Sequence, residues 1–168
     1  MSSTKLSRHL TIPMLAAVLT ALVAMSFALY TNQTWEDYYI TYRASKNLAT
    51  GNGLVFNVGD KLHTVTSPLG VLLPAVSYLL TANSSDTAAL WIFRLMSCIA
   101  LGGGAAFFVL IARQKKYALL AGAFLVAGLF TDSKIVDFSI NGMETGFMVL
   151  FLAYALWAHL TPGPRQWK

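Results

Sequence analysis

LTIPMLAAVLTALVAMSFALY, residues 10 to 30, decides the fold: 21 consecutive residues carry no charge. A helix rises about 1.5 Å per residue and a bilayer core is about 30 Å thick, so roughly 20 apolar residues reach across it. Lys5 and Arg8 precede the run, and Ser26-Phe27-Ala28 has the small-residue spacing of a cleavage site. The run is longer than the roughly 7–15 residues of a signal-peptide core, so an uncleaved anchor is expected. Composition agrees. Of 168 residues, 56% are hydrophobic and 11% charged, with a mean hydropathy of +0.58. Soluble domains carry about 25% charged residues. The predicted class is an all-α integral membrane protein. The net charge of +5 is scattered along the chain, which argues against a nucleic-acid partner. Cys98, the single cysteine, excludes an internal disulfide and multi-cysteine metal clusters, and its apolar setting reads as core.

Further apolar stretches run from 88 to 112, interrupted only by Arg94, from 117 to 131, and from 144 to 160. Residues 67 to 82 are also apolar but contain Pro68 and Pro74. If that stretch crossed, Arg113, Lys115 and Lys116 would face outward, against the positive-inside rule. Laid on the outer surface, it leaves those cations, Lys5, Arg8, Arg165 and Lys168 all inside. The expectation is therefore about four spans (10–30, 88–112, 117–131 and 144–160) with both termini cytoplasmic. Residues 1–9, 113–116 and 161–168 would be cytoplasmic, and 132–143 and the large loop 31–87 would lie outside.

That loop is patterned rather than a plain linker. Residues 35–50 predict a surface helix with Glu36 and Asp37 in its first turn and Gly51 as its stop. Glu36, Tyr39, Arg43 and Asn47 share one face; Tyr38, Thr41, Ala44 and Leu48 lie opposite. Leu54 to Phe56 and Leu62 to Val65 predict a short hairpin around Asn57-Val58-Gly59-Asp60. Ser67 and Pro68 read as the cap and first residue of a second surface helix, 67–82. The acidic pair has two explanations. Acids favour a helix N-terminus, where the dipole is positive, and a carboxylate at a membrane surface can act as a general base toward a hydroxyl. Arg43 could pair with Glu36 or bind a phosphate. Arg94 sits two turns into its span, within snorkelling reach of the outer interface. The Gly102-Gly103-Gly104 run offers a small face for helix packing.

The ordered series WEDYYITYRASKNLATGNGLVFNVGDKLHTVTSPLGVLL, residues 35 to 73, resembles the first outer loop of the GT-C superfamily of membrane glycosyltransferases. The likeness is greatest to the arabinofuranosyltransferase-like branch of actinobacterial cell-wall enzymes. It rests on the acidic pair, the step from Ile40 to Arg43, Asn47-Leu48, Gly51-x-Gly53, Phe56-Asn57-x-Gly59 and Thr66-Ser67-Pro68. Asn141-Gly142-Met143-Glu144-Thr145 looks like the family's motif at the start of a later span. The resemblance implies an inverting enzyme of the bacterial plasma membrane, using a polyprenyl-phosphate sugar donor and a glycan or lipid acceptor. It implies Asp37 as the general base with Glu36 as its acidic neighbour. Arg43, Lys61, His63, Arg94 and Glu144 are candidates for substrate binding, and no metal or other cofactor is expected. Glu36 stands where the pattern usually has Asp, and Gly70 where an aromatic often follows Ser-Pro-Leu. Family members have many more spans, so the chain reads as an N-terminal module. The rival expectations are a non-enzymatic multi-span protein, such as a transporter fragment or assembly subunit, and an inactive truncated relic.

Overall fold

Ser85 accepts a hydrogen bond from the Ala88 N–H at 3.2 Å, satisfying one of the free donors at the start of the central helix, α4 (Asp86–Ala112). A computed structural model describes residues 3–60, 67–114, 120, 122–124, 127–128 and 132–161, with side chains described from residue 11. The other helices are α1 (Ser3–Thr31), α2 (Glu36–Ala49), α3 (Pro68–Leu80), α5 (Ser133–Ile140) and α6 (Thr145–Leu160). Among the described residues there is no strand. The protein is an all-α membrane protein.

α4 packs between α1 and α6. A Cβ on Gly102 would stand 2.5 Å from the Ala17 carbonyl oxygen, whereas one on Gly103 would meet Leu150 and one on Gly104 would meet Val149, each at 2.9 Å. Three consecutive glycines thus serve both neighbours, letting backbones approach closely where lipid offers no hydrophobic drive for association. Residue 17 lies against 102, and residue 32 bonds to 94, so α1 runs antiparallel to α4. Gly146 lies against Ser97, and Gln114 bonds to Thr161, so α6 runs parallel to it. The end of α1 and the starts of α4 and α6 therefore share one end of the molecule. Outward faces are apolar. Leu15, Leu19 and Leu22 on α1 and Phe151 and Leu152 on α6 are all exposed, as expected of surfaces solvated by lipid.

Among the described residues, two of the expected spans are formed as single helices, and the fourth is a shorter helix joined to a bend. Two helices among those residues, over Thr11–Thr31 and Asp86–Ala112, are long and apolar enough to cross a membrane, with a third if α5 and α6 count together. Alone, the 16 residues of α6 reach about 24 Å, short of a bilayer core of about 30 Å. α5 and α6 meet at a bend of 108°, made where Gly142 adopts φ +115. The stretch 117–131 lies largely outside the described residues, although 120, 122–124 and 127–128 are helical.

The predicted hairpin is corrected on its first arm. Leu54 to Phe56 form no strand, because the Asn47 amide on α2 donates to the carbonyls of Val55 at 2.9 Å and Phe56 at 3.0 Å. Those bonds tie the segment to α2. The second arm, Leu62 to Val65, lies outside the described residues. α2 stops at Gly51, whose φ is +83. The Asn52 N–H returns to the Asn47 carbonyl and the Gly51 N–H to that of Leu48, the paired bonds of a Schellman end. α3 begins as its sequence predicts: Ser67 Oγ accepts from the Gly70 N–H, and Pro68 occupies the first turn.

Candidate active site

The linker from α1 to α2 is held from two sides. From α4, the fully buried Arg94 donates to Asn32 Oδ1 at 3.3 Å, to Thr34 Oγ1 at 3.0 Å and to the Gln33 carbonyl, and lies 4.5 Å from the centre of the Trp91 ring. From the α5–α6 bend, the carbonyl of the fully buried Asn141 accepts the Trp35 N–H at 2.9 Å. The Asn141 amide reaches Asp137 and Thr31. Trp35 stacks on Phe138 with ring centres 4.8 Å apart. A Cβ on Gly142 would stand 2.5 Å from Cβ of Tyr38, so only glycine meets both the space and the φ of +115 there.

This arrangement joins the two stretches that the sequence analysis set apart, residues 35–38 and 141–144. It delivers Glu36 and Asp37 on the first turn of α2 as exposed carboxylates. Among the described residues neither carboxylate has a hydrogen-bond or ion-pair partner. The helix-start explanation also holds, since both acids fall in the first turn of α2, where the dipole favours negative charge.

Glu144 is half-buried and makes no cap bond to its own α6. A Cβ built on Gly70 would stand 3.1 Å from Glu144 Oε2. The carboxylate thus occupies the space beside the first turn of α3 that a side chain at 70 would fill, where the helix dipole favours negative charge.

Arg43 shares a face with Glu36 but is not brought to it. Its guanidinium donates to Asn57 Oδ1 at 3.0 Å and lies 4.6 Å from the centre of the Phe56 ring. With Asn47 it pins the loop after α2. Arg94 meets the linker rather than Asp37. Lys61 and His63 lie outside the described residues. Among the described residues no group of three or more His, Cys, Asp or Glu is placed to hold a metal.

Three features escaped the sequence reading. Asp86 accepts from Tyr42 Oη at 3.0 Å and from Lys46 Nζ at 2.9 Å, which docks α2 on α4. Burial, and then the bond to Asp86, push the Tyr42 phenol well above the ordinary 10.0; burial does the same to Tyr38. The bond to Asp86 raises Lys46 above 10.5. The Trp35–Phe138 stack and the Gly142–Tyr38 contact are the other two. Each pairs residues about 100 positions apart, and no local pattern announces it.

The fold and site define a helical membrane protein with an open acidic pair at one end of its spans. No known family model matches the chain, and no solved structure matches it. It is 30% identical over 154 residues to a terminal β-(1→2)-arabinofuranosyltransferase of Corynebacterium glutamicum. The match takes in 86% of this chain and 22% of that protein, so the chain spans about a fifth of its relative's length.

Proposed function

We propose that this chain is the N-terminal module of an inverting membrane glycosyltransferase, carrying the loop that activates the acceptor. The observation that carries the reading is the joining of 35–38 to 141–144, which fixes the backbone on either side of Asp37 while its carboxylate has no partner among the described residues. The likeness to an arabinofuranosyltransferase supports the same class and suggests a pentofuranose as the sugar. Asp37 takes the proton of an acceptor hydroxyl as that oxygen attacks the anomeric carbon. The bond from that carbon to the phosphate oxygen breaks, and polyprenyl phosphate leaves with the electron pair. Glu36 adjusts the charge beside the base. Arg94 and Asn141 position the helix that bears it, and Glu144 lines the neighbouring wall. The acceptor is a glycan or lipid of the cell envelope, and no cofactor takes part. On this reading the site faces outward from a bacterial plasma membrane and both termini are cytoplasmic.

The test is sugar transfer from a polyprenyl-phosphate arabinofuranose donor in membranes that hold the native protein. Asp37→Asn is expected to abolish transfer while insertion and expression persist. Transfer at the wild-type rate would remove Asp37 from the role of base. The topology is checked by cysteine labelling at Lys115 in intact cells, where an impermeant reagent applied from outside is expected to fail. Ready labelling would overturn the surface placement of 67–82.

A further inference from the structure

Lys134 differs from the other cations around the site. Arg43 donates to Asn57, Lys46 to Asp86 and Arg94 to residues 32–34. The Lys134 ammonium has no carboxylate or hydrogen-bond acceptor among the described residues. It is held by two rings instead: Nζ lies 5.5 Å from the centre of Trp35 and 5.9 Å from that of Phe138. A cation–π contact fixes an ammonium in place without using up its N–H donors. The neighbouring acids, Asp132 before α5 and Asp137 within it, bond to groups other than the ammonium. Asp132 Oδ1 takes the backbone N–H of Lys134, and Asp137 takes the Asn141 amide. The side chain is exposed.

The position of this trio matters as much as its charge. Trp35 follows the end of α1, a candidate span, by four residues. That is the depth at which tryptophan is enriched in membrane proteins and at which lipid phosphates lie. The Trp35 Nε1–H is buried and has no partner, which leaves the Lys134 ammonium as the donor open to a lipid. We propose that Lys134, with Trp35 and Phe138, binds the phosphate of a membrane lipid, the ammonium meeting the phosphate oxygens and the stacked rings setting its height. Two sources share this chemistry: a glycerophospholipid headgroup and a polyprenyl phosphate. The inference requires the membrane setting but not the transfer reaction.

Native mass spectrometry of the full chain in detergent tests it, with phosphatidylglycerol, undecaprenyl phosphate and, as a phosphate-free control, diacylglycerol as the added lipids. Lys134→Gln is expected to weaken retention of phosphate lipids about fivefold, with diacylglycerol binding and the melting temperature unchanged. Lys134→Arg is expected to keep retention. A loss confined to undecaprenyl phosphate would assign the site to the carrier lipid, and one confined to phosphatidylglycerol would assign it to a headgroup. Equal retention of both phosphate lipids by wild type and Lys134→Gln would overturn the proposal.

Discussion

Two carboxylate sites lie along α2, and they are treated in opposite ways. Near its C-terminal half, Asp86 is bound by the Tyr42 phenol and the Lys46 ammonium. At its start, Glu36 and Asp37 are exposed, and their carboxylates have no partner among the described residues. A carboxylate already bound by two donors is poorly suited to take up a further proton, since protonation forfeits those bonds. One fixed through its backbone alone keeps its lone pairs free for an incoming hydroxyl. The contrast separates an acid that builds the fold from one that the fold presents.

The sharpest way to break the comparison is to neutralise both. Asp37→Asn is expected to lower transfer by about 10²–10⁴-fold, the usual contribution of a general base, with no change in thermal stability. Asp86→Asn is expected to leave transfer within a few-fold of wild type. If the two variants lose activity equally, being unpartnered does not mark the base.

Next in size comes the joint that presents the pair. Gly142→Ala forces a side chain into φ +115 and against Tyr38, so a loss of about 3 kcal/mol is expected from backbone strain and overpacking together. Denaturant unfolding in detergent measures it. A loss below about 0.5 kcal/mol would mean that the α5–α6 bend yields and does not fix Tyr38. Arg94→Met follows, at about 1–3 kcal/mol, because Gln33, Thr34 and Asn32 lose a buried donor. Cysteine labelling across residues 32–34 should rise with it. Lost transfer without lost stability would instead give Arg94 a direct part in chemistry.

Much of the fold was legible because membrane helices announce themselves by length and lack of charge. The Ser67-Pro68 start of α3 and the Gly51 stop of α2 were legible because caps are local. The hairpin misled because Leu54 to Phe56 has strand-like side chains, whereas its outcome was set by the Asn47 side chain on a helix. Arg94 read as a snorkelling cation since sequence gives depth along one helix and not the acceptors another chain segment brings to it. Gly70 stood out as a departure from an aromatic; in the structure the space a side chain there would take is filled by Glu144, 74 positions later. The acidic pair was found from the sequence, but that it lacks partners among the described residues could only be seen in the structure.

The smallest effect, and the last test of the contrast, is the pH dependence of the α2–α4 joint. Lys46 and Asp86 are 42% and 57% exposed, so their pair contributes about 0–1 kcal/mol. The buried phenols matter more. Tyr38 and Tyr42 are held above the ordinary 10.0, so their contribution is complete below pH 10. Above it, the unfolded phenols ionise while the folded ones keep their protons, and stability falls as pH rises. Lys46, raised above 10.5, adds in the same direction. Tyr42→Phe is expected to cost about 1 kcal/mol at pH 8, from the lost bond to Asp86. It should also make the decline between pH 10 and about 11.5 shallower, one ionising group having been removed. Unfolding in a non-ionic detergent across that range measures both. An unchanged alkaline slope would mean that Tyr42 titrates alike folded and unfolded, and that the Asp86 joint is as open to water as the pair at the other end of the helix.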